Sequence, residues 1–339
     1  MYRKKKLLKT VIGYGGGRKE LNFNFYGGYH SDGVLIDTEF FAFIIDAIVK
    51  HVLALQTLKA CWHCIDSLPS SIGKLQTLTR LDLSDNKLTL LPDSFCNLTA
   101  LIHLNLSCNK LVALPVAFGN LTALQTLNVR ANCLSALPDS VCNLTALWSL
   151  QLPNNCLTSL PDNVGQLLSL QILDCRYNRV IALPQSICTL SNLVVLNVVG
   201  NQIASLPTHI GHLTALSSLH LSHNRLSQLP ASIVYLDKCL QRVTLSHNLV
   251  SATTFNYQIV TFRFCKKRRH AWRRRVINAY RLALTLWRSR DDSALSTLDV
   301  GGTALAVFAL LCKADKAPDF SDVCLEGWQL QLRSSQPTY

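Results

Sequence analysis

Residues 101–123 read LIHLNLSCNKLVALPVAFGNLTA, and residues 124–146 read LQTLNVRANCLSALPDSVCNLTA. The two stretches place aliphatic residues, one asparagine and a Leu-Pro pair at the same positions, 23 residues apart. The asparagine of this pattern recurs along the chain at Asn86, Asn109, Asn132, Asn155, Asn178, Asn201, Asn224 and, after 24 residues, Asn248. Such self-similarity indicates a repeat architecture, in which each copy packs only on its neighbours.

Each copy has the pattern of a strand followed by a short helical return. Leu104 and Leu106 alternate with polar residues, which predicts a strand with one buried face. Pro115 then begins a segment with its apolar residues at helical spacing. No copy can bury its apolar edge alone, so we expect an α/β repeat solenoid. A parallel sheet should line its concave face, with short helical or irregular returns on the convex face and helical caps at the ends.

Composition divides the chain into four parts. Residues 1–31 are basic and are expected to be disordered, and residues 32–54 read as an amino-terminal capping helix. The repeats occupy 55–251: a degenerate first copy with His63 in place of asparagine, seven regular copies and a partial last copy. Residues 252–339 are expected to form a basic, mainly helical cap or tail.

Two interior columns are read as structural. The recurring asparagines should bond the backbone of their own copy and of the next one, so a structural role is predicted for them and not a ligand role. Small residues alternate strictly in the return segment, and they are read as packing residues. This column consists of Gly73, Cys96, Gly119, Cys142, Gly165, Cys188 and Gly211.

The repeats resemble the 23-residue class of intracellular leucine-rich repeats, whose consensus reads LxxLxLxxNxLxxLPxxIxxL. The resemblance covers roughly residues 55–251 and extends to Ras-scaffold, Ras-suppressor and plant Ras-group-related proteins. It implies a curved parallel sheet lining a binding surface, often in small-GTPase or phosphatase signalling. Cys175 in place of a strand leucine and His63 in place of asparagine depart from the consensus.

The strand residues between the buried leucines must face outward on the concave side. The middle copies bring together arginine and aromatic residues, the types that dominate interface energies. The alternative is a solvated face with a local ion pair between Arg176 and Asp174. The predicted protein-binding residues are Arg130, Trp148, Gln151, Asp174, Arg176 and Tyr177.

The net charge of +13 belongs to the flanks, because residues 55–251 carry eleven basic and eight acidic side chains, whereas 252–290 carry eleven basic and no acidic ones. The basic patch is Lys266, Lys267, Arg268, Arg269, Arg273, Arg274 and Arg275. Three interpretations stay open: a nuclear import signal, a site for anionic membrane or nucleic acid, and a solvated capping helix.

Cys61 and Cys64 have the spacing of a zinc or redox site, but no second CxxC pair accompanies them. A three-histidine metal site from His220, His223 and His247 is a second alternative, because they fall on neighbouring copies. Both are weaker than a structural interpretation, so no metal and no cofactor is predicted. Neither a nucleophile with its base nor a complete phosphate-binding loop is present, so no enzyme is predicted.

We therefore expect a non-enzymatic scaffold that binds a folded protein on its concave face, with no small-molecule substrate. The alternative is a repeat platform that presents a basic amphipathic helix, 262–290, to nucleic acid or anionic membrane. Without a signal-like start or a long apolar run, we expect a cytoplasmic or nuclear protein that is neither secreted nor transmembrane.

Overall fold

The computed structural model of the chain describes residues 20–24, 36–51 and 54–249. Within these residues, ten three-residue strands form one parallel sheet in chain order, each paired with the next. The strands β1 to β10 are Glu20–Asn22, Thr57–Lys59, Arg80–Asp82, His103–Asn105, Thr126–Asn128, Ser149–Gln151, Ile172–Asp174, Val195–Asn197, Ser218–His220 and Arg242–Thr244. From β2 to β9, partners are 23 residues apart, as in Leu127 opposite Leu150, so the sequence period is also the register of the sheet.

Each return segment contains a single turn or two of 3-10 helix after the Leu-Pro pair. These helices are Ser70–Lys74, Asp93–Asn97, Phe118–Asn120, Asp139–Asn143, Val164–Gln166, Gln185–Thr189, Ile210–His212 and Ala231–Lys238. Strand leucines and the apolar residues of the returns meet in one continuous core. Each fully buried leucine contributes about 1.5–3 kcal/mol. The prediction of a leucine-rich-repeat solenoid with its parallel sheet on the concave face is confirmed.

The buried asparagines join each copy to its neighbour, as Asn132 illustrates. Its Nδ2 donates to the carbonyl oxygen of Val129 in its own copy and to that of Leu106 in the preceding copy, both at 3.0 Å. Its Oδ1 accepts the backbone N–H of Leu111, also in the preceding copy, at 2.9 Å. The prediction that these side chains bond the following copy was therefore wrong in direction. The asparagine lies where the chain turns back toward the previous copy, and it supplies the hydrogen-bond partner of the Leu111 N–H there.

The amino-terminal end is closed by helix α1, Thr38–His51, within the range predicted as a cap. Asp37 caps the helix, since its carboxylate accepts the N–H of Phe40 at 2.8 Å. Phe41, Ile44 and Ile48 are fully buried, so the apolar side of α1 covers the interior of the first copy.

One prediction about this end was wrong. Residues 20–24 fall within the segment expected to be disordered, yet Glu20–Asn22 form β1, which extends the sheet beyond the first repeat. Leu21 is buried opposite Leu58, and Lys59 pairs with Glu20 at 2.9 Å. Three residues carry no recognisable sequence period. The pairing depends instead on the open backbone edge that β2 offers.

In the degenerate first copy, His63 occupies the position that asparagine holds in the regular copies. The Nδ1 of His63 accepts the backbone N–H of Ile36 at 3.2 Å, so Nε2 carries the proton and donates to the carbonyl oxygen of Phe23 at 2.6 Å. Burial lowers the pKa of His63, and the neutral ring is the form that can accept at one nitrogen and donate at the other. His63 thus bonds the backbone that precedes it, as asparagine does in the regular copies.

The alternating column distinguishes two kinds of return. A Cβ atom at Gly119 would lie 2.1 Å from the carbonyl oxygen of Ser140 in the next copy, which excludes any larger residue without displacement. The backbone N–H of Gly119 instead donates to the hydroxyl of Ser140 at 3.1 Å. In the next copy Cys142 is buried, and desolvation raises the pKa of its thiol to about 11. Both residue types therefore act in packing.

Candidate functional site: the concave face

Two residues of every strand point to the concave side, one on each side of the buried leucine. In β4 these are His103 and Asn105, which are half-buried on either side of Leu104. The position after the leucine forms a column that was part of the predicted face. The position before it was not, although the same alternation places it there. That inner column is Thr57, Arg80, His103, Thr126, Ser149, Ile172, Val195, Ser218 and Arg242.

Several side chains in the column after the leucine already form hydrogen bonds within the protein. The Oδ1 of Asn128 accepts the backbone N–H of Arg130 at 3.1 Å, and Asp174 accepts that of Arg176 at 3.2 Å. Asp82, Asn105 and Asn197 form the same bond in their own copies. These oxygens hold the bend at the end of each strand, which leaves the amide NH₂ groups of the asparagines as the donors that can face a ligand.

Gln151 departs from this arrangement, and the sequence explains why. The residue two positions further on is Pro153, which has no N–H to donate. Gln151 is exposed, and its Nε2 lies 3.5 Å from the hydroxyl of Ser149. Its carbonyl oxygen is therefore not used by the bend, unlike the side-chain oxygens of neighbouring copies.

A depression of about 380 Å³ lies on the concave face between β2 and β6. Its polar lining comes mainly from Lys59, Arg80, Asp82, His103, Asn105, Thr126, Asn128, Ser149 and Gln151, with Trp148 at one side. His103 and Arg80 are adjacent here, and burial together with the charge of Arg80 lowers the pKa of His103. The ring Nδ1 of His103 lies 2.9 Å from the hydroxyl of Thr126. The depression thus offers cationic, amide and aromatic groups together.

Five of the six predicted binding residues fall into two groups. Trp148 and Gln151 line the depression, whereas Asp174, Arg176 and Tyr177 lie on and after the next strand, β7. The Nε of Arg176 is 3.4 Å from the carboxylate of Asp174, the ion pair that the alternative interpretation anticipated.

The remaining predicted residue, Arg130, is exposed beside β5. Desolvation raises the pKa of Asp174, while the N–H of Arg176 and the charges of Arg176, His220 and Arg130 lower it in part. The depression lies closer to the amino terminus than Asp174, Arg176 and Tyr177 do.

One edge of the concave face carries a ladder of left-handed residues. In every copy the residue before the asparagine, or before His63 in the first copy, has φ between 53° and 68°. Only glycine, asparagine and aspartate adopt this conformation readily, yet Tyr177, with φ of 55°, is 54% exposed. Its ring lies over Gly200, where a Cβ atom would approach to 2.5 Å. The bend therefore displays this side chain outward.

The two metal alternatives find little support. Within residues 20–24, 36–51 and 54–249, no three His, Cys, Asp or Glu side chains are placed to hold a metal ion. Instead, the rings of His223 and His247 stack with centroids 4.0 Å apart. Burial raises the pKa of the Cys61 thiol to about 12, which disfavours the thiolate that a redox site needs.

Residues 252–339, including the basic patch, lie outside the described residues. In the part of the chain that is described, no helix is both long and apolar enough to cross a bilayer.

Comparisons with known proteins agree with this architecture. The family model for the leucine-rich repeat region matches residues 46–133 and 135–202, and that for a single leucine-rich repeat matches 215–236. Together they cover more than half of the chain, which belongs to the leucine-rich-repeat proteins. No curated protein matches its sequence.

A leucine-rich-repeat protein of Leptospira interrogans is 30% identical, with a TM-score of 0.62 over 72% of this chain and 63% of that one. The ectodomain of the Arabidopsis thaliana receptor kinase GASSHO1/SCHENGEN3, in complex with CASPARIAN STRIP INTEGRITY FACTOR 2, is 32% identical. Its TM-score is 0.53 over 57% of this chain and 24% of the receptor chain. The plant peptide hormone receptor RGFR1, in complex with RGF2, is 29% identical, with a TM-score of 0.51 over 60% and 37%. The chain thus spans less than two thirds of each of these proteins.

Proposed function

We propose that the chain is a non-enzymatic interaction scaffold whose concave face binds a folded protein. The observation that carries the proposal is the depression between β2 and β6, with Trp148 and Gln151 on one side and Arg80 on the other. Leucine-rich repeats commonly mediate protein–protein interaction, and two of the similar structures are receptors in complex with partners. The proposed surface extends from the depression to Tyr177.

The residue types of this surface fit a protein partner. Arginine, tyrosine and tryptophan contribute most to interface energies, and they do so when they are central and surrounded by other contacts. A standard interface buries about 800 Å² on each partner. The surface carries both signs of charge, because Arg80 and Arg130 are accompanied by Asp82 and Asp174. The surface therefore does not favour a partner whose charges are all of one sign over a partner that carries charges of both signs.

The class of partner follows from the resemblance to the Ras-scaffold and Ras-suppressor proteins. We propose a small GTPase or a phosphatase of a signalling pathway, met in the cytoplasm or nucleus. The alternative, binding of nucleic acid or anionic membrane through 262–290, rests on the eleven basic and no acidic residues of 252–290.

The test is affinity capture from cell lysate with four forms of the chain: intact, Arg80→Glu/Arg130→Glu, Lys74→Glu/Lys87→Glu and a deletion of 262–290. The second double variant is the matched control, since it makes the same charge change at exposed positions on a return and a turn. The Kd of each purified captured partner is then measured by titration calorimetry.

We expect the concave variant to raise Kd at least about tenfold, the effect of losing about 1.4 kcal/mol of binding energy, and the control to leave it within about twofold. Partners retained by the concave variant but lost with the deletion would overturn the proposal. Binding to RNA or acidic vesicles that weakens steeply with salt would then support the alternative.

A further inference from the structure

Two cysteines occupy the turn that follows the buried asparagine, one in each of two adjacent copies. Cys133 follows Asn132, and Cys156 follows Asn155, so the two thiols occupy the same position in adjacent copies. In this part of the sheet equivalent residues are direct partners, as shown by Leu127 with Leu150 and Asn128 with Gln151. Stacked copies at strand spacing separate equivalent Cα atoms by about 4.8 Å. A disulfide requires about 4.4–6.8 Å between Cα atoms.

Hydrogen bonds hold the two turns together at the cysteines themselves. The backbone N–H of Cys156 donates to the carbonyl oxygen of Leu134 at 2.9 Å. The N–H of Leu134 donates to the Oδ1 of Asn155 at 3.0 Å. Leu134, the residue after Cys133, is thus bonded through its carbonyl oxygen to Cys156 and through its N–H to Asn155. Little room remains for the two copies to slide apart at this point.

Both thiols are free and accessible, Cys133 being exposed and Cys156 half-exposed. They differ in this from Cys96, Cys142, Cys175 and Cys188, which are buried. The neighbouring copies place Lys110 and Arg179 at the same position of the turn, and both side chains are exposed. Two cations therefore flank the pair along the column. They would attract an anionic reagent by their Coulomb field.

We propose that Cys133 and Cys156 form a dithiol site that is oxidised to an inter-repeat disulfide by an anionic low-molecular-weight disulfide, such as oxidised glutathione. The thiolate of Cys133, the more exposed residue, attacks one sulfur of the oxidant and releases one glutathione thiolate. The thiolate of Cys156 then attacks the Cys133 sulfur of the mixed disulfide and releases the second. Two protein thiols are oxidised, one glutathione disulfide is reduced, and the two protons pass to the released glutathiones.

The disulfide would connect the copies that carry Arg130 and Gln151. It would fix their spacing on the concave face, although the site lies on the turn beyond that face. The dithiol proposal is independent of the binding proposal, and either can fail without the other.

Cys108 provides the matched control. It is also exposed, but the equivalent residues of its neighbouring copies are Asp85 and Ala131, so it has no stacked thiol. Four forms of the full chain are compared: wild type, Cys133→Ser, Cys156→Ser and Cys108→Ser. Each is reduced, then equilibrated with graded oxidised glutathione and analysed by non-reducing peptide mapping with mass spectrometry.

The expected result is a Cys133–Cys156 linkage, with the loss of two hydrogens, in wild type and in Cys108→Ser. It should form at an oxidant concentration at least about tenfold lower than that which modifies Cys108, because the second step is intramolecular. Either serine variant at 133 or 156 should instead stop at a mixed disulfide with glutathione. Stable mixed disulfides at both positions of the wild type, or a linkage of either cysteine to a third, would overturn the proposal.

Phenylarsine oxide gives a second readout that needs no oxidation, since trivalent arsenic bridges two neighbouring thiols. One equivalent should bind to wild type and to Cys108→Ser and protect Cys133 and Cys156 together from alkylation. Protection should be lost in Cys133→Ser and in Cys156→Ser. Arsenical binding that survives both substitutions with Cys133 still alkylated in wild type would show that the thiols are not paired.

Discussion

The interior of the solenoid and its concave face obey different rules, although the same strands supply both. Inside, Asn132 and Asn155 make the same four hydrogen bonds in successive copies, because each copy offers the next the same backbone groups. On the face, the equivalent positions hold Arg130 and Pro153, whose side chains share no chemistry. Contacts between neighbouring copies require the same residue at equivalent interior positions, whereas residues on the face can vary without loss of the fold. The information about the partner therefore lies in the positions that do not repeat.

The largest expected effect comes from Asn132→Leu. This substitution leaves the buried N–H of Leu111 without its partner. The carbonyl oxygens of Leu106 and Val129 each lose one of two donors and keep the Nδ2 of Asn109 and of Asn155, respectively. Since the unpaired N–H costs about 1–3 kcal/mol and each of the other lost hydrogen bonds about 0.5–1.5 kcal/mol, the free energy of unfolding should fall by about 3 kcal/mol or more. Asn128→Ala on the face removes one bond, to Arg130, and should cost less than about 1 kcal/mol. Chemical denaturation compares the two, and equal losses would refute the distinction between interior and face.

Gly119→Ala tests the alternating column of the interior. The added Cβ would lie 2.1 Å from the carbonyl oxygen of Ser140, and backbone cannot move away as a flexible side chain would. We expect a loss near the upper end of the about 1–3 kcal/mol typical of overpacking. Cys142→Ala at the equivalent position of the next copy should cost only about 1 kcal/mol. The denaturation midpoints of the two variants measure this, and a harmless alanine at 119 would contradict the packing argument.

The histidine of the first copy should make that end of the interior sensitive to pH. Because the folded pKa of His63 is lowered, the hydrogen bond that Nδ1 accepts is fully present above the unfolded pKa of about 6.5. It is lost as pH falls below that value and Nδ1 becomes protonated. We expect the local free energy of opening at this end to fall by about 1 kcal/mol between about pH 7.5 and about pH 5. Hydrogen exchange of the Ile36 amide measures this change.

His63→Asn places the residue of the regular copies in the first copy. It should reduce this pH dependence without removing it, since the pKa values of His103 and His220 are lowered as well. An Ile36 amide whose exchange responds to pH equally in the variant would rule out His63 as the cause.

The smallest expected effect is at the edge of the face, where Ala131 adopts φ of 53°. Ala131→Gly should relieve a left-handed strain of about 1–2 kcal/mol against about 0.5–1 kcal/mol of added chain entropy. A gain of up to about 1 kcal/mol is expected. Ala117→Gly, at an exposed position with φ of −87°, has only the entropy term and should destabilise. Thermal denaturation that shows the same sign for both variants would contradict the strain argument.

Much of the fold was predictable, because each copy of the repeat forms the same contacts. The strand position, the Pro-initiated return and the buried asparagine follow from spacing alone, as do the outward residues Gln151 and Asp174. Strand β1 was not predictable, since Glu20–Asn22 has no period and pairs only because β2 exposes an edge. The column of Arg80 and His103 was missed even though the alternation of leucines placed it on the face. The alternation of leucines was therefore a sufficient signal for this column, although the prediction did not include it.

The 23-residue period by itself determined the class of fold and the sheet that lines the concave face, because a repeated apolar edge can be buried only by stacking. Only the tertiary structure decided which polar groups remain free on that face. Asp82 and Asn128 use their oxygens to hold the bend, whereas Gln151 faces a proline without an N–H. It also decided that His63 acts as an asparagine and that the turns carrying Cys133 and Cys156 are hydrogen-bonded to each other. Hydrogen bonds and close approaches between copies depend on distances in space, which a one-dimensional pattern does not contain.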